Sequence, residues 1–155
     1  MATKPGAAGD AGLVSRPSLS FQRRLNGPPE KVYAAWTDPE KIIRWFGRAD
    51  ARPDSFKAEI DARIGGRFRV SFFTGNEYYE IGGVYRELVP NQLLVFSWAW
   101  HSTPERESQV TVALKPDGEG TLLTLRHEQL FDSAARDGHE RGWIGALDKL
   151  EKYLA

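Results

Sequence analysis

At 155 residues, with 41% hydrophobic and 27% charged side chains, the chain has an ordinary globular composition and enough length for one core. Its 21 basic and 21 acidic residues cancel, which removes any bulk attraction to nucleic acid or anionic lipid. It holds no cysteine, so disulfides, thiolate nucleophiles and thiolate metal sites are excluded, and no apolar run approaches a membrane span.

The first residues, rich in Gly, Ala and Pro, lack the apolar centre of a secretory signal. The pattern predicts a disordered tail over 1–16, a single domain over 17–155, and a cytoplasmic location. Ser18 to Asn26 reads as a first strand with Leu19, Phe21 and Leu25 among polar neighbours, stopped by Gly27-Pro28-Pro29. A helix follows from Pro29, with Val32, Ala35 and Trp36 as its apolar stripe. Asp38-Pro39 ends it and caps a short second helix that closes near Trp45-Phe46-Gly47.

The middle of the chain alternates at the strand period. Phe56, Ala58 and Ile60 form one such face, and Phe68, Val70 and Phe72 another. Tyr78 to Leu88 is a strand in which Gly82-Gly83 predicts a bulge or bend. Leu94, Phe96, Trp98 and Trp100 share a face of the next strand. Val110, Val112 and Leu114 share another, and Leu123, Leu125 and His127 a last one. Turn residues between these runs imply consecutive antiparallel hairpins.

From Asp132 to Ala155 there is no proline, and Trp143, Leu147, Leu150 and Leu154 recur along one helical face. Beside them run Gly138, Gly142 and Gly145, each about 1 kcal/mol worse than alanine in a helix interior. Such glycines either let a sheet approach closely or leave empty volume beside the helix. A single helix can cover seven strands only if the sheet bends around it, and a pocket is expected between the two.

Site chemistry is sparse. There is no phosphate-binding loop and no Gly-x-Ser-x-Gly elbow, and His101, His127 and His139 have no ligand spacing, so neither a metal nor a cofactor is expected. Arg63, Arg67 and Arg69 read as a solvated strand face. His127 shares its face with Leu123 and Leu125, and is either a satisfied core residue or a cavity histidine able to orient a ligand or move a proton.

Several segments, in this order, resemble a known family. They are Pro28-Pro29-Glu30-Lys31-Val32-Tyr33, Asp38-Pro39-Glu40-Lys41, Arg44-Trp45-Phe46, Arg63-Ile64-Gly65-Gly66-Arg67-Phe68 and Gly83-Val84-Tyr85-Arg86-Glu87-Leu88. Leu94-Val95-Phe96-Ser97-Trp98 and the ending from His139 through Gly142-Trp143 to Leu150 extend the match. The pattern is similar to the START-like (SRPBCC) superfamily, in the branch named for the activator of the heat-shock-protein-90 ATPase. The resemblance implies an α+β helix-grip fold: a curved seven-stranded antiparallel sheet around a long C-terminal helix, with two short helices after the first strand. It also implies an apolar cavity, since members bind lipids, hormones or polyketides and a minority are cyclases, dehydratases or hydrolases. The separate chaperone-binding domain of the eponymous co-chaperone has no counterpart before Ser18, so chaperone activation is not the expected role.

The expected function is therefore binding of a small apolar or aromatic ligand by a monomer or homodimer, without catalysis, nucleic acid or membrane insertion. Gly142, Trp143 and Ala146 would roof the pocket, Phe72, Tyr85, Trp98 and His127 would floor it, and Phe46 would stand at its lip. The alternatives are a cyclase- or hydrolase-type enzyme using the same cavity, and a co-chaperone-like protein-interaction module presenting Trp98, Trp100 and His101 at a sheet edge, with a chaperone as its partner.

Overall fold

The computed structural model describes residues 16–155. The tail expected over 1–16 lies outside the described residues, apart from Arg16. Strand β1 (Leu19–Asn26) buries Leu19 and Leu25 and leaves its polar residues outward, as its alternation requires. Helix α1 (Pro29–Thr37) starts on a proline and buries Val32, Ala35 and Trp36. Asp38 separates it from α2 (Pro39–Ile42), its carboxylate accepting from the Glu40 amide at 2.9 Å. A short 3-10 turn at Pro53–Ser55 precedes the meander and has no sequence signal beyond its proline.

Six strands follow: β2 (Lys57–Ile60), β3 (Arg67–Thr74), β4 (Glu77–Val89), β5 (Leu93–Trp100), β6 (Ser108–Asp117) and β7 (Gly120–Glu128). The chain closes with α3 (Ser133–Leu154), whose N-cap Asp132 accepts from the Ala135 amide at 2.8 Å. The order across the sheet is β1-β7-β6-β5-β4-β3-β2, antiparallel throughout. Consecutive strands are neighbours, and only β1 crosses to pair with β7. The sheet curves around α3, which is the helix-grip architecture.

The irregularity expected at Gly82-Gly83 is displaced. The β4–β5 ladder pairs Gly82 with Ala99 and Tyr85 with Phe96, then shifts register between Tyr85 and Glu87. At Val84 the amide donates to the Ser97 hydroxyl at 2.8 Å instead of to a strand carbonyl. Gly83 serves close approach: a β-carbon there would lie 1.9 Å from the Ser97 carbonyl oxygen.

Trp143, Ala146, Leu147, Leu150 and Leu154 form the buried face of α3, the stripe visible in the sequence. Arg23 of β1 ties the helix down at its solvent edge, reaching Asp148 and Glu151 at 2.9 Å each. Trp36 and Trp45 meet edge to face, 4.6 Å between ring centres, and wedge α1 and the α2 end under Trp143.

Candidate functional site

Between the first half of α3 and the sheet lies a cleft of about 650 Å³. Helix α3 contributes Gly138, His139, Gly142, Trp143 and Ala146. The sheet contributes aromatic rings from three successive strands: Phe72 of β3, Tyr79 of β4, and Trp98 and Trp100 of β5. The loop after α2 supplies Phe46 to Asp50, and the β5–β6 turn supplies Ser102 and Thr103.

The two roles open to the glycines are divided among them. A β-carbon on Gly142 would meet nothing within 4 Å, so that residue borders empty space. On Gly138 it would find only the Arg141 guanidinium, 4.0 Å away. On Gly145 it would stand 3.3 Å from both the β-carbon and the amide nitrogen of Ala49, so that glycine serves close packing. Ala49 resting on Gly145 bounds one end of the cleft.

The inner wall is a network of ring N–H groups. His139 accepts at Nε2 from Trp98 Nε1 (3.2 Å) and from Trp100 Nε1 (3.0 Å). Its Nδ1 therefore carries the proton and donates to the Ala135 carbonyl at 2.7 Å. Behind it, Trp143 Nε1 donates to His127 Nδ1 at 3.0 Å, which leaves His127 Nε2 to donate to the Ser108 hydroxyl at 2.8 Å. Ser108 then donates to the Trp98 carbonyl at 3.2 Å. Both imidazoles are fixed as neutral tautomers. Burial, with neighbouring His139 adding to it, pushes the His127 pKa down to about 3. Burial lowers that of His139 as well, against an opposing bond to Ala135.

The rim carries the charges. Gly47 adopts φ +87°, and a β-carbon there would lie 2.8 Å from the Phe56 ring, so only glycine fits this turn. Lys149, its pKa lowered by burial, donates to the carbonyls of Phe46 (2.9 Å) and Arg48 (3.4 Å) and fastens the loop to α3. Arg48 grips Asp50 through two bonds of 3.1 and 3.0 Å and lies 5.6 Å from the centre of the Tyr79 ring. Arg141 stands exposed at the same mouth and forms no ion pair among the described residues.

Of the residues singled out in the sequence, Phe46, Phe72, Trp98, Gly142, Trp143 and Ala146 line this cleft. Tyr85 and His127 do not. Tyr85 points inward but farther along the concave face, against Phe68 and Phe96, where it borders a small void of about 10 Å³. His127 is wholly buried, with Trp143 and Trp98 between it and the cleft. The interaction patch at Trp98, Trp100 and His101 is also absent, because β5 is the central strand of the sheet and both indoles face the cleft. Sequence reasoning did not assign His139, Trp100, Tyr79 or the Arg48–Asp50 pair to the pocket. His139 was findable, since it lies four residues before Trp143 on the same helical face.

Residues 26–155 match the family described as Activator of Hsp90 ATPase homolog 1-like protein. The chain belongs to this AHSA1-like family. It is START-like in fold, and solved AHSA1-like and related structures superpose on it over most of their length. Protein CV1439 from Chromobacterium violaceum is 26% identical with a TM-score of 0.77, covering 88% of this chain and 96% of its own. The AHSA1 protein of Silicibacter pomeroyi is 28% identical with a TM-score of 0.75, covering 89% and 97%. CalU16 from Micromonospora echinospora is 28% identical with a TM-score of 0.63, covering 89% and 76%. Among curated proteins no match was found.

Proposed function

We propose that this AHSA1-like protein binds a small apolar, aromatic-rich ligand in the cleft between α3 and the sheet, and releases it unchanged. The observation that carries this reading is empty volume over Gly142, facing rings from β3, β4 and β5. A helix tolerates glycine there at a cost, and the space it leaves is walled by ring faces and edges suited to flat ligands. The volume falls within the range of small-molecule sites.

The binding reading is favoured over an enzymatic one by the state of the imidazoles. A general base needs a free lone pair within hydrogen-bond reach of the substrate. His139 has both nitrogens committed, and His127 is sealed from the cleft. The test pairs stability with binding. Gly142→Leu fills the space, so titration with the neutral fluorophore N-phenyl-1-naphthylamine is expected to show lost binding while denaturant melts move little. A strong loss of stability in Gly142→Leu, together with a wild type that binds no probe, would reject the cleft as a ligand site.

A further inference from the structure

The charges around the cleft do not cancel as those of the whole chain do. Its lining holds two cations, Arg48 and Arg141, and one anion, Asp50. Asp50 is consumed by Arg48 at 3.0 Å, which leaves Arg141 as the excess charge.

The helix denies Arg141 a partner. Three and four residues ahead of it stand Ile144 and Gly145, and three behind stands Gly138. The carboxylate four behind, Asp137, is taken at 3.2 Å by Arg136, which holds Glu140 at the same distance. Arg136 thus collects both acids of that turn. The cleft lining also includes Ser102 and Thr103, whose hydroxyls make no hydrogen bond among the described residues.

Gly138 then takes on a meaning beyond its lack of bulk. The Arg141 guanidinium lies back toward the bare Gly138 backbone, 4.0 Å from where a β-carbon would be, at the edge of the aromatic cleft. A guanidinium is a planar fork of donors matched to a carboxylate, and it is more weakly hydrated than an ammonium, which suits it to the rim of an aromatic cleft.

We propose that the ligand is a flat aromatic acid, its rings lying over Trp98 and Trp143 in the space beside Gly142 and its carboxylate held by Arg141, with the hydroxyls of Ser102 and Thr103 lining the same cleft. This inference rests on the cleft being the ligand site, and deepens it by naming the chemical class. Arg48 stays with Asp50 and Tyr79 and acts as a fixed wall rather than as an anion receptor.

The test uses two probes of the same shape on the full chain, 2-naphthoate and 2-naphthalenemethanol, titrated by calorimetry near neutral pH at low salt. Wild type is expected to bind the carboxylate about tenfold more tightly than the alcohol, the scale of one charge-assisted hydrogen bond. Arg141→Gln is expected to bring the two affinities together by lowering that of the carboxylate far more than that of the alcohol, and added salt is expected to weaken only the carboxylate. Retained binding of the alcohol also shows that the variant is folded. Equal affinities in wild type, or a preference that persists in Arg141→Gln, overturn the acid assignment and leave the apolar cleft standing. Binding of neither probe by wild type overturns both.

Discussion

The two halves of α3 have the same helical backbone and opposite tasks. Its second half presents Leu147, Leu150 and Leu154 to the sheet, and each is sealed from water. Its first half presents Gly138, His139 and Gly142 to open volume. The border falls between Gly142 and Gly145, less than one turn apart, where one glycine faces space and the next faces Ala49. A helix can therefore be core at one end and ligand wall at the other, and residue type alone does not reveal which.

Four experiments break or sharpen that contrast. The largest effect is expected from Leu150→Ala in the core half, where a fully buried leucine is removed. Denaturant unfolding is expected to show a loss of about 2–5 kcal/mol, and a loss below about 1 would place a hidden void under the second half too.

Next comes acidity, acting on the imidazole network behind the first half. The folded pKa of His127 lies near 3, below its ordinary 6.5, so between those values the unfolded chain binds a proton that the folded chain refuses. The contribution of this group is full above about pH 6.5 and falls with decreasing pH toward 3, by at most about 1 kcal/mol per pH unit. Urea midpoints across that window are expected to fall less steeply in His127→Gln than in wild type, and parallel curves would remove the histidine from the account.

Gly145→Leu is expected to cost about 1–3 kcal/mol, because its side chain must displace Ala49. A neutral result would mean that the loop at Ala49 yields, and that the cleft extends farther along α3. The smallest effect, and the only favourable one, is expected from Gly142→Ala. A β-carbon in open space brings better helix propensity without a clash, so a gain of about 0.5–1 kcal/mol should appear in thermal or chemical melts. Destabilisation there would contradict the open volume over Gly142.

The fold was legible because its signals are periodic. Leu123, Leu125 and His127 alternate and all three are buried, and Trp143, Leu147, Leu150 and Leu154 follow the helical period and do the same. The cleft was only partly legible, because pointing inward and lining a cavity are different properties. Tyr85 and His127 both point inward, yet a concave face has a deep end and a mouth, and no strand period separates them. Tyr79 shares the strand parity of Tyr85 and lies at the mouth. The Arg48–Asp50 pair sits on a loop held by Gly47 and Lys149, contacts that no period encodes. Helical spacing puts His139 on the face of Trp143, but it does not give its partners, Trp98 and Trp100, which come from a strand about 40 residues earlier.

The pairing of β1 with β7 sets the order in which the molecule can assemble. Leu19 finds its partner at His127, and among the described residues β1 has no other strand neighbour, so its backbone groups wait until about a hundred further residues have been made. The hairpins from β2 to β7 can form locally, while closure of β1 is a long-range event of the kind that slows folding. Arg23 on that same strand then anchors Asp148 and Glu151 of α3, which follows every strand of the sheet along the chain. During translation the cleft can form only once α3 has been made, because Gly138, Gly142 and Trp143 wall it, so a ligand that needs it can engage only chains whose helix has already reached the sheet.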